Sequence, residues 1–265
     1  MKLEGCTALV TGASAGIGRE FARQLAGSAR TIVLIARRLE RLEELRDELK
    51  RRRPNLNVHI RAVDLAERSQ LHELVKWLEW EKIVIDLLVN NAGLGDLGSF
   101  ATSDPERIEK IILVNIFAPT FLARSLVPVM IAKKNGGILN VSSSAGFLPI
   151  AGFSVYAASK AYLTSFSEAL RAELRGTGVS VSALCPGPVD TEFTEVAYRP
   201  GDHPATGPSF VHVAAEDVAR AGLAAIKHDR ALVIPGLAMK VAMFLARITP
   251  LAILRLASRF SAKRV

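Results

Sequence analysis

Short apolar runs rich in β-branched residues alternate with segments of helical period along almost the whole chain, and nothing else in it limits the possible folds so strongly. TALVT (7–11) precedes a helical segment from Ile17, TIVLIA (31–36) one from about Leu39, and VHIRAVD (58–64) one from about Ser69, after which comes DLLVNNAG (86–93). The rhythm continues with a long helix opened by Ser103-Asp104-Pro105, a strand in GGILNVS (136–142), a helix over about 155–175 and the strand VSVSALC (179–185). Strand, helix and strand in succession build parallel sheets, because a parallel neighbour is reached only through a crossover. The strands are apolar throughout rather than alternating, so both faces of the sheet are expected to be covered. The fold class is therefore α/β, with a doubly wound, mostly parallel sheet.

After Pro186 the pattern loosens into TEFTEVAYRPGDHPATGPSF, rich in Pro, Gly and Thr. An aperiodic stretch of that length inside a compact domain reads as a lid, here about 190–212. A helix from about Ala215 and the short strand ALVIP (231–235) complete the sheet. LAMKVAMFLARI and LAILRLASRF then predict two amphipathic helices separated by Thr249-Pro250. Residues 1–236 are read as one domain and 237–265 as its helical extension.

With 265 residues the chain can bury a large core. Cys6 and Cys185 both fall in strand-like apolar runs and are expected as buried reduced thiols, which suits a cytoplasmic location. The apolar window 111–131 approaches the length of a membrane span but contains Asn115, Pro119 and Arg124, so it reads as a helix buried between the sheet and a partner subunit. Net charge is +8. No aromatic platform or nucleic-acid-binding motif accompanies it, so no nucleic-acid partner is expected. No metal site is expected either.

TGASAGIG (11–18) sits between the first strand and the first helix, the context in which glycine patterns hold phosphates. Gly12 permits a tight turn, Gly16 lets backbone approach a pyrophosphate, and Gly18 allows close helix packing, with Ser14 and Ile17 in the same turn. The helix N-terminus faces the negative charge. This is the phosphate cradle of a Rossmann dinucleotide fold. At the end of the second strand, where an acid usually holds the ribose 2′-hydroxyl of NAD, the chain has Ala36, Arg37 and Arg38. Two guanidiniums and no carboxylate favour the 2′-phosphate of NADP. Asp64, with Leu65 beside it, is placed to accept a hydrogen bond from the adenine amino group.

Tyr156 and Lys160 are four apart in a predicted helix, so they share a face, and Ser143 lies thirteen residues before the tyrosine. Bringing a phenol from its usual pKa of about 10 to roughly 7 takes on the order of 4 kcal/mol of preferential phenolate stabilisation. A nearby ammonium in a partly desolvated site can supply that, so an acidified Tyr156 is expected.

With TGASAGIG, NNAG (90–93), Asn115, Ser143, Tyr156-x-x-x-Lys160 and PGPVDT (186–191) in this order, the chain resembles the shorter, single-domain branch of the short-chain dehydrogenase/reductase superfamily, over about residues 5–235. The resemblance implies a catalytic tetrad of Asn115, Ser143, Tyr156 and Lys160. Tyr156 would exchange a proton with the substrate oxygen and Ser143 would hydrogen-bond it. Lys160 would lower the tyrosine pKa and bind the nicotinamide ribose, and Asn115 would hold a relay water. Asn91, Ala92 and Gly93 would border the adenosine ribose, while Pro186, Gly187, Val189 and Thr191 would meet the nicotinamide carboxamide. The resemblance further implies an oligomer, a homodimer or homotetramer, formed through the long helices at about 104–134 and 155–175.

Substrate contacts are expected from Ala145 to Phe153, Leu94 to Leu97 and the lid. Phe147, Leu148, Ile150, Phe153, Phe193 and Tyr198 make that wall apolar, pointing to an apolar ketone, aldehyde or alcohol. A reductase of acyl-carrier-protein thioesters is an alternative that needs basic residues at the mouth, for which Lys133 and Lys134 are candidates, and a non-catalytic NADP-binding regulator is another. In the tail, Lys240, Arg247 and Arg255 mark one basic face above an apolar surface. Such helices suit three roles: lying on an anionic membrane, covering the substrate mouth, or packing on a second subunit.

Overall fold

The computed structural model describes residues 1–199, 212–250 and 253. Seven parallel strands form one sheet in the order β3-β2-β1-β4-β5-β6-β7: β1 (Thr7–Thr11), β2 (Thr31–Ala36), β3 (Asn57–Ala62), β4 (Leu87–Asn90), β5 (Gly136–Val141), β6 (Val179–Leu184) and β7 (Leu232–Val233). The strand order reverses between β1 and β4, so the crossovers before and after that point lie on opposite faces of the sheet. Helices α1 (Gly16–Leu25), α2 (Leu39–Arg52) and α8 (Ala215–Lys227) contribute to one core, with Phe21, Leu45 and Ile226 completely buried. Helices α3 (Arg68–Trp80), α5 (Ala118–Ala132) and α6 (Ser154–Glu173) contribute to the other, around Leu9, Leu74 and Leu122. The apolar strands are thus covered on both faces, as their composition predicts. Edge strand β3 is only half-buried.

The long helix predicted from Ser103-Asp104-Pro105 begins as read. Asp104 caps α4 (Pro105–Ile112) by accepting a hydrogen bond from the Glu106 N–H at 3.1 Å, with Pro105 in the first turn where no N–H is needed. It does not continue as one regular helix. A π-helical segment, Leu113–Phe117, separates α4 from α5 and carries Asn115. The apolar window expected to be buried does pack Leu122, Ala123 and Met130 inward, while Ile112, Val129 and Ile131 remain exposed.

Several other boundaries differ from the sequence reading. The third strand ends at Ala62, so Asp64 lies in the turn after it. Cys6 and Cys185 flank β1 and β6 rather than sit within them; both are buried free thiols, and burial raises each pKa to about 11. Part of the proposed lid, residues 200–211, and the second tail helix apart from Ile253 lie outside the described residues.

A chain of buried amides ties the middle of the sheet to α6. Asn90 donates to the Asn140 Oδ1 at 2.8 Å, Asn140 donates to the Ser167 Oγ at 2.8 Å, and Ser167 donates to the Leu163 carbonyl at 2.6 Å. Removing the central member leaves buried donors and acceptors unpaired, and each carries a desolvation penalty of about 1–3 kcal/mol. Asn140→Ala should therefore lose about 2–4 kcal/mol of stability, read as a lower urea midpoint at unchanged slope.

Candidate active site

Every element that contributes to the site does so from the C-terminal ends of the strands, where β1 and β4 part and leave a crevice. The turn from β1 into α1 is held against the end of β4 by unusually close backbone contact. Gly12 has φ +65°, and a Cβ there would meet the Ala92 Cα at 2.9 Å. A Cβ on Gly18 would stand 2.2 Å from the Gly12 carbonyl oxygen and 2.4 Å from the Asn91 Nδ2. Asn91 fastens this crossing by donating to the Thr11 and Gly12 carbonyls at 3.0 and 3.2 Å, while the Thr11 hydroxyl accepts from the Asn91 and Ala92 N–H groups. The N-terminus of α1 has no side-chain cap and no acidic residue in its first turn, so its N–H groups and dipole face the crevice uncompensated. These features fit a pyrophosphate.

Gly16, with φ +51°, lies against Thr191: a Cβ on it would touch the Thr191 Cγ2 at 3.0 Å. Thr191 leads into α7 (Glu192–Ala197), whose first residue reaches across to α2. Glu192 accepts from Arg38 at 2.9 Å and from Arg41, and the two guanidiniums hold its carboxyl below the usual range, Arg41 contributing most. Arg38 also donates to the Ser14 Oγ at 3.3 Å. The sequence reading paired Arg37 with Arg38. Arg41, one turn along α2, takes Arg37's place in this cluster, and Arg37 is exposed. Asp64 turns its Oδ1 to the Ala66 N–H at 3.0 Å, and Leu65 is buried in the core beside it.

Ser143, Tyr156, Lys160 and Asn115 converge beside Gly93. A Cβ on Gly93 would meet the Lys160 Nζ at 3.3 Å and the Asn115 Oδ1 at 3.7 Å. Ser143 stands two residues beyond the end of β5, its Oγ accepts from the Ala145 N–H at 3.1 Å, and it pulls the Tyr156 pKa downward. Its neighbours are otherwise engaged: the Ser142 hydroxyl donates to the Lys160 carbonyl at 2.7 Å, and the Ser144 N–H donates to the Pro186 carbonyl at 2.8 Å. Asn115 holds the loop after β4 from both sides, accepting from the Leu94 N–H at 2.8 Å and donating to the Leu94 carbonyl at 2.9 Å, with a further bond to Ser159.

The electrostatics depart from the sequence expectation. Lys160 lies over the Tyr156 ring, its Nζ 5.6 Å from the centroid, and donates to the Val141 carbonyl at 2.8 Å. Burial pushes the Tyr156 pKa up to about 12, against the pull of its hydrogen bond to Ser143, and pulls Lys160 down to about 8. Desolvation therefore outweighs the cation, and the phenol stays protonated.

The residues that sequence reading missed are those that fasten the segment after β6. Asp96 is paired with Arg199 at 2.8 Å and lies 3.7 Å from Arg107, and the arginines hold its carboxyl well below the usual range. Arg107 also donates to the Gly95 carbonyl and to the Val196 carbonyl, on α7. Phe193 sits 5.3 Å from the Tyr156 ring and Phe153 stacks on that ring at 4.2 Å. Asp96 and Arg199 are 103 positions apart, and no local pattern pairs residues at that distance.

Residues 6–200 match the family model described as short chain dehydrogenase. The chain belongs to the short-chain dehydrogenase family. It is 40% identical over 195 residues to a short chain dehydrogenase of Pseudocercospora fijiensis, covering 72% of this chain and 62% of that protein's length. It is 37% identical over 217 residues to the NADP-dependent 3-hydroxy acid dehydrogenase YdfG of Escherichia coli K12, covering 80% of this chain and 86% of that one. Among solved structures it is similar to a Sphingobium yanoikuyae short-chain dehydrogenase in complex with NADPH (TM-score 0.80, 31% identity, 91% and 93% of the two chains). A Burkholderia phymatum family member in complex with NAD is similar too (TM-score 0.80, 26% identity, 92% and 94%). The family makes the chain an oxidoreductase built to bind a nicotinamide dinucleotide.

A buried lysine with a depressed pKa gives a signed pH dependence. Between about 8 and the ordinary 10.5 the unfolded chain holds the Lys160 proton that the folded chain has lost, so stability rises with pH across that window. Lys160→Met removes this contribution while leaving Tyr156, Cys6 and Cys185 in place. The thermal midpoint of the wild type should gain on that of the variant as pH rises from about 8 to about 10.5; parallel curves would contradict it.

Proposed function

We propose that this protein is an NADP-dependent oxidoreductase that interconverts a carbonyl and an alcohol on an apolar substrate. The observation that carries this reading is the meeting of Ser143, Tyr156, Lys160 and Asn115 at Gly93, at the open end of a glycine cradle flanked by Arg38 and Arg41. In this reading Gly12, Ser14, Gly16, Ile17 and Gly18 hold the pyrophosphate, and Asp64, Leu65, Asn91, Ala92 and Gly93 border the adenosine. Pro186, Gly187, Val189 and Thr191 hold the carboxamide. A reduced nicotinamide held there would supply hydride for the substrate carbonyl carbon. Tyr156, protonated at neutral pH, donates its proton to the oxygen of that carbonyl, and Ser143 hydrogen-bonds the same oxygen as charge develops on it. The Lys160 ammonium over the ring stabilises the phenolate left behind. Asn115 positions the loop after β4 and, through the irregular helix around it, a route for a relay water.

The aromatic wall of Phe153, Phe193 and Phe147 favours an apolar substrate. Arg107 and Arg199, on the side of the segment after β6, share the Asp96 carboxylate and spend their remaining N–H groups on the Gly95, Val196 and Ser99 carbonyls and the Thr102 and Ser103 hydroxyls. The thioester alternative loses its proposed basic contacts. Lys133 is paired with Asp86, just before β4, so Lys133 and Lys134 sit at the N-terminal ends of the strands, opposite the site. The exposed sides of α4, α5 and α6, with Ile112, Val129, Ile131 and Tyr162, suit a homodimer or homotetramer. Two buried reduced thiols suit the cytoplasm.

The direct test is turnover with NADPH and NADH against apolar ketones, aldehydes, steroids, 3-oxo acids and acyl thioesters. NADPH should be preferred and an apolar carbonyl reduced fastest. Tyr156→Phe should abolish turnover while NADPH affinity stays within about threefold, since the hydroxyl contributes little to ground-state binding; retained turnover removes the proton-donor role. Glu192 competes with a 2′-phosphate for Arg38 and Arg41. Glu192→Gln should therefore tighten NADPH binding by about fivefold, the size of an exposed ion pair, and leave NADH unchanged in a fluorescence titration.

A further inference from the structure

Helix α9 (Leu237–Ile248) has two apolar faces, and the fold uses one of them. Met239 and Met243 are buried where the helix packs on the 3-10 turn Ser144–Phe147, and Arg247 places its guanidinium 5.7 Å from the centre of the Phe147 ring. On the other side Leu237, Val241, Phe244, Leu245 and Ile248 are all exposed, Leu237 at 78% and Phe244 and Ile248 at 62% each. At 3.6 residues per turn these five side chains fall within an arc of about 100°. Lys240 and Arg247 flank that arc along one edge. Beyond the helix, Ile253 is exposed as well.

The charge of the sequence from β7 onward is one-sided. From Arg230 to Val265 the sequence contains no Asp or Glu, whereas Lys240, Arg247, Arg255, Arg259, Lys263 and Arg264 follow Arg230 itself. A second copy of the chain would bring the same cations against these, and the residues after Pro250 carry the same sign, so neither complements the face. A surface that is apolar at depth and anionic at its boundary does.

We propose that α9 is an interfacial helix that docks the protein on an anionic lipid bilayer, with Leu237, Val241, Phe244, Leu245 and Ile248 in the acyl boundary and Lys240 among the headgroups. Its opposite face packs on the turn that begins next to Ser143, so docking sets the wall of the substrate site against the membrane. An apolar carbonyl compound dissolved in lipid would then reach the site without crossing water. The docking itself does not depend on the oxidoreductase reading; the placement of the mouth does.

The test is co-sedimentation of the full chain with vesicles of phosphatidylcholine alone or mixed with phosphatidylglycerol, alongside an NADPH fluorescence titration that reports the cofactor site separately. Binding is expected on the mixed vesicles, weakening as salt is raised, and falling about fivefold for Lys240→Glu, the contribution of a basic residue near an anionic surface. Val241→Ser with Phe244→Ser should abolish it while the thermal midpoint holds, because both side chains are already exposed. No binding to mixed vesicles, or undiminished binding by the double variant, overturns the proposal. So does a drop in molecular mass of the double variant by light scattering without a change in vesicle binding, which would make the face a subunit contact. Cofactor binding that persists without vesicle binding overturns the docking alone.

Discussion

The whole arrangement depends on one crowded crossing, where the β1–α1 turn passes over the end of β4. Gly12, Gly18, Asn91 and Ala92 pack there at distances that leave no room for a Cβ. That contact brings the first helix's N-terminus to the crevice and simultaneously fixes the direction in which the chain leaves β4. Gly93 and Leu94 follow from it, and through them the side chain of Asn115 and the position of Lys160. A single steric condition therefore couples the glycine turn to the Lys160 and Asn115 side chains, the two ends of the proposed site.

The two ends are joined a second time by the segment after β6. Thr191 rests on Gly16, Glu192 bridges to Arg38 and Arg41, and Phe193 leans on Tyr156, so three consecutive residues touch three different parts of the site. Asp96 and Arg199 close the far side of the same segment. The carboxylate of Glu192 occupies the guanidiniums that a 2′-phosphate would take. Cofactor binding and lid position are in this way parts of one electrostatic balance, and a chain lacking Glu192 would be more basic at the cradle but would hold its lid less firmly.

Much of this was legible in sequence. The strands were readable because parallel strands buried on both faces are apolar without interruption, and the cradle because TGASAGIG lies between a strand and a helix. The motif spacing placed Ser143, Tyr156 and Lys160 together. What local pattern did not carry was pairing across distance: Arg41 and Glu192, Asp96 and Arg199, and the π-helical break at Asn115 inside an otherwise helix-like run. The acidity of Tyr156 was misjudged for a different reason. Spacing predicts proximity of a cation but says nothing of burial, and desolvation of a fully enclosed phenol disfavours its phenolate even with an ammonium beside it.

That opposition has a consequence for the chemistry. With the phenol protonated and the amine still mostly charged at neutral pH, its pKa lowered to about 8, small changes in the field of the site shift the proton balance of both groups together. An anion or ribose hydroxyl approaching Lys160 favours its charged form, and that charge in turn favours phenolate formation on Tyr156. The pair is thus better described as one coupled unit than as a donor with a fixed pKa, with Ser143 adding its own downward pull on the phenol.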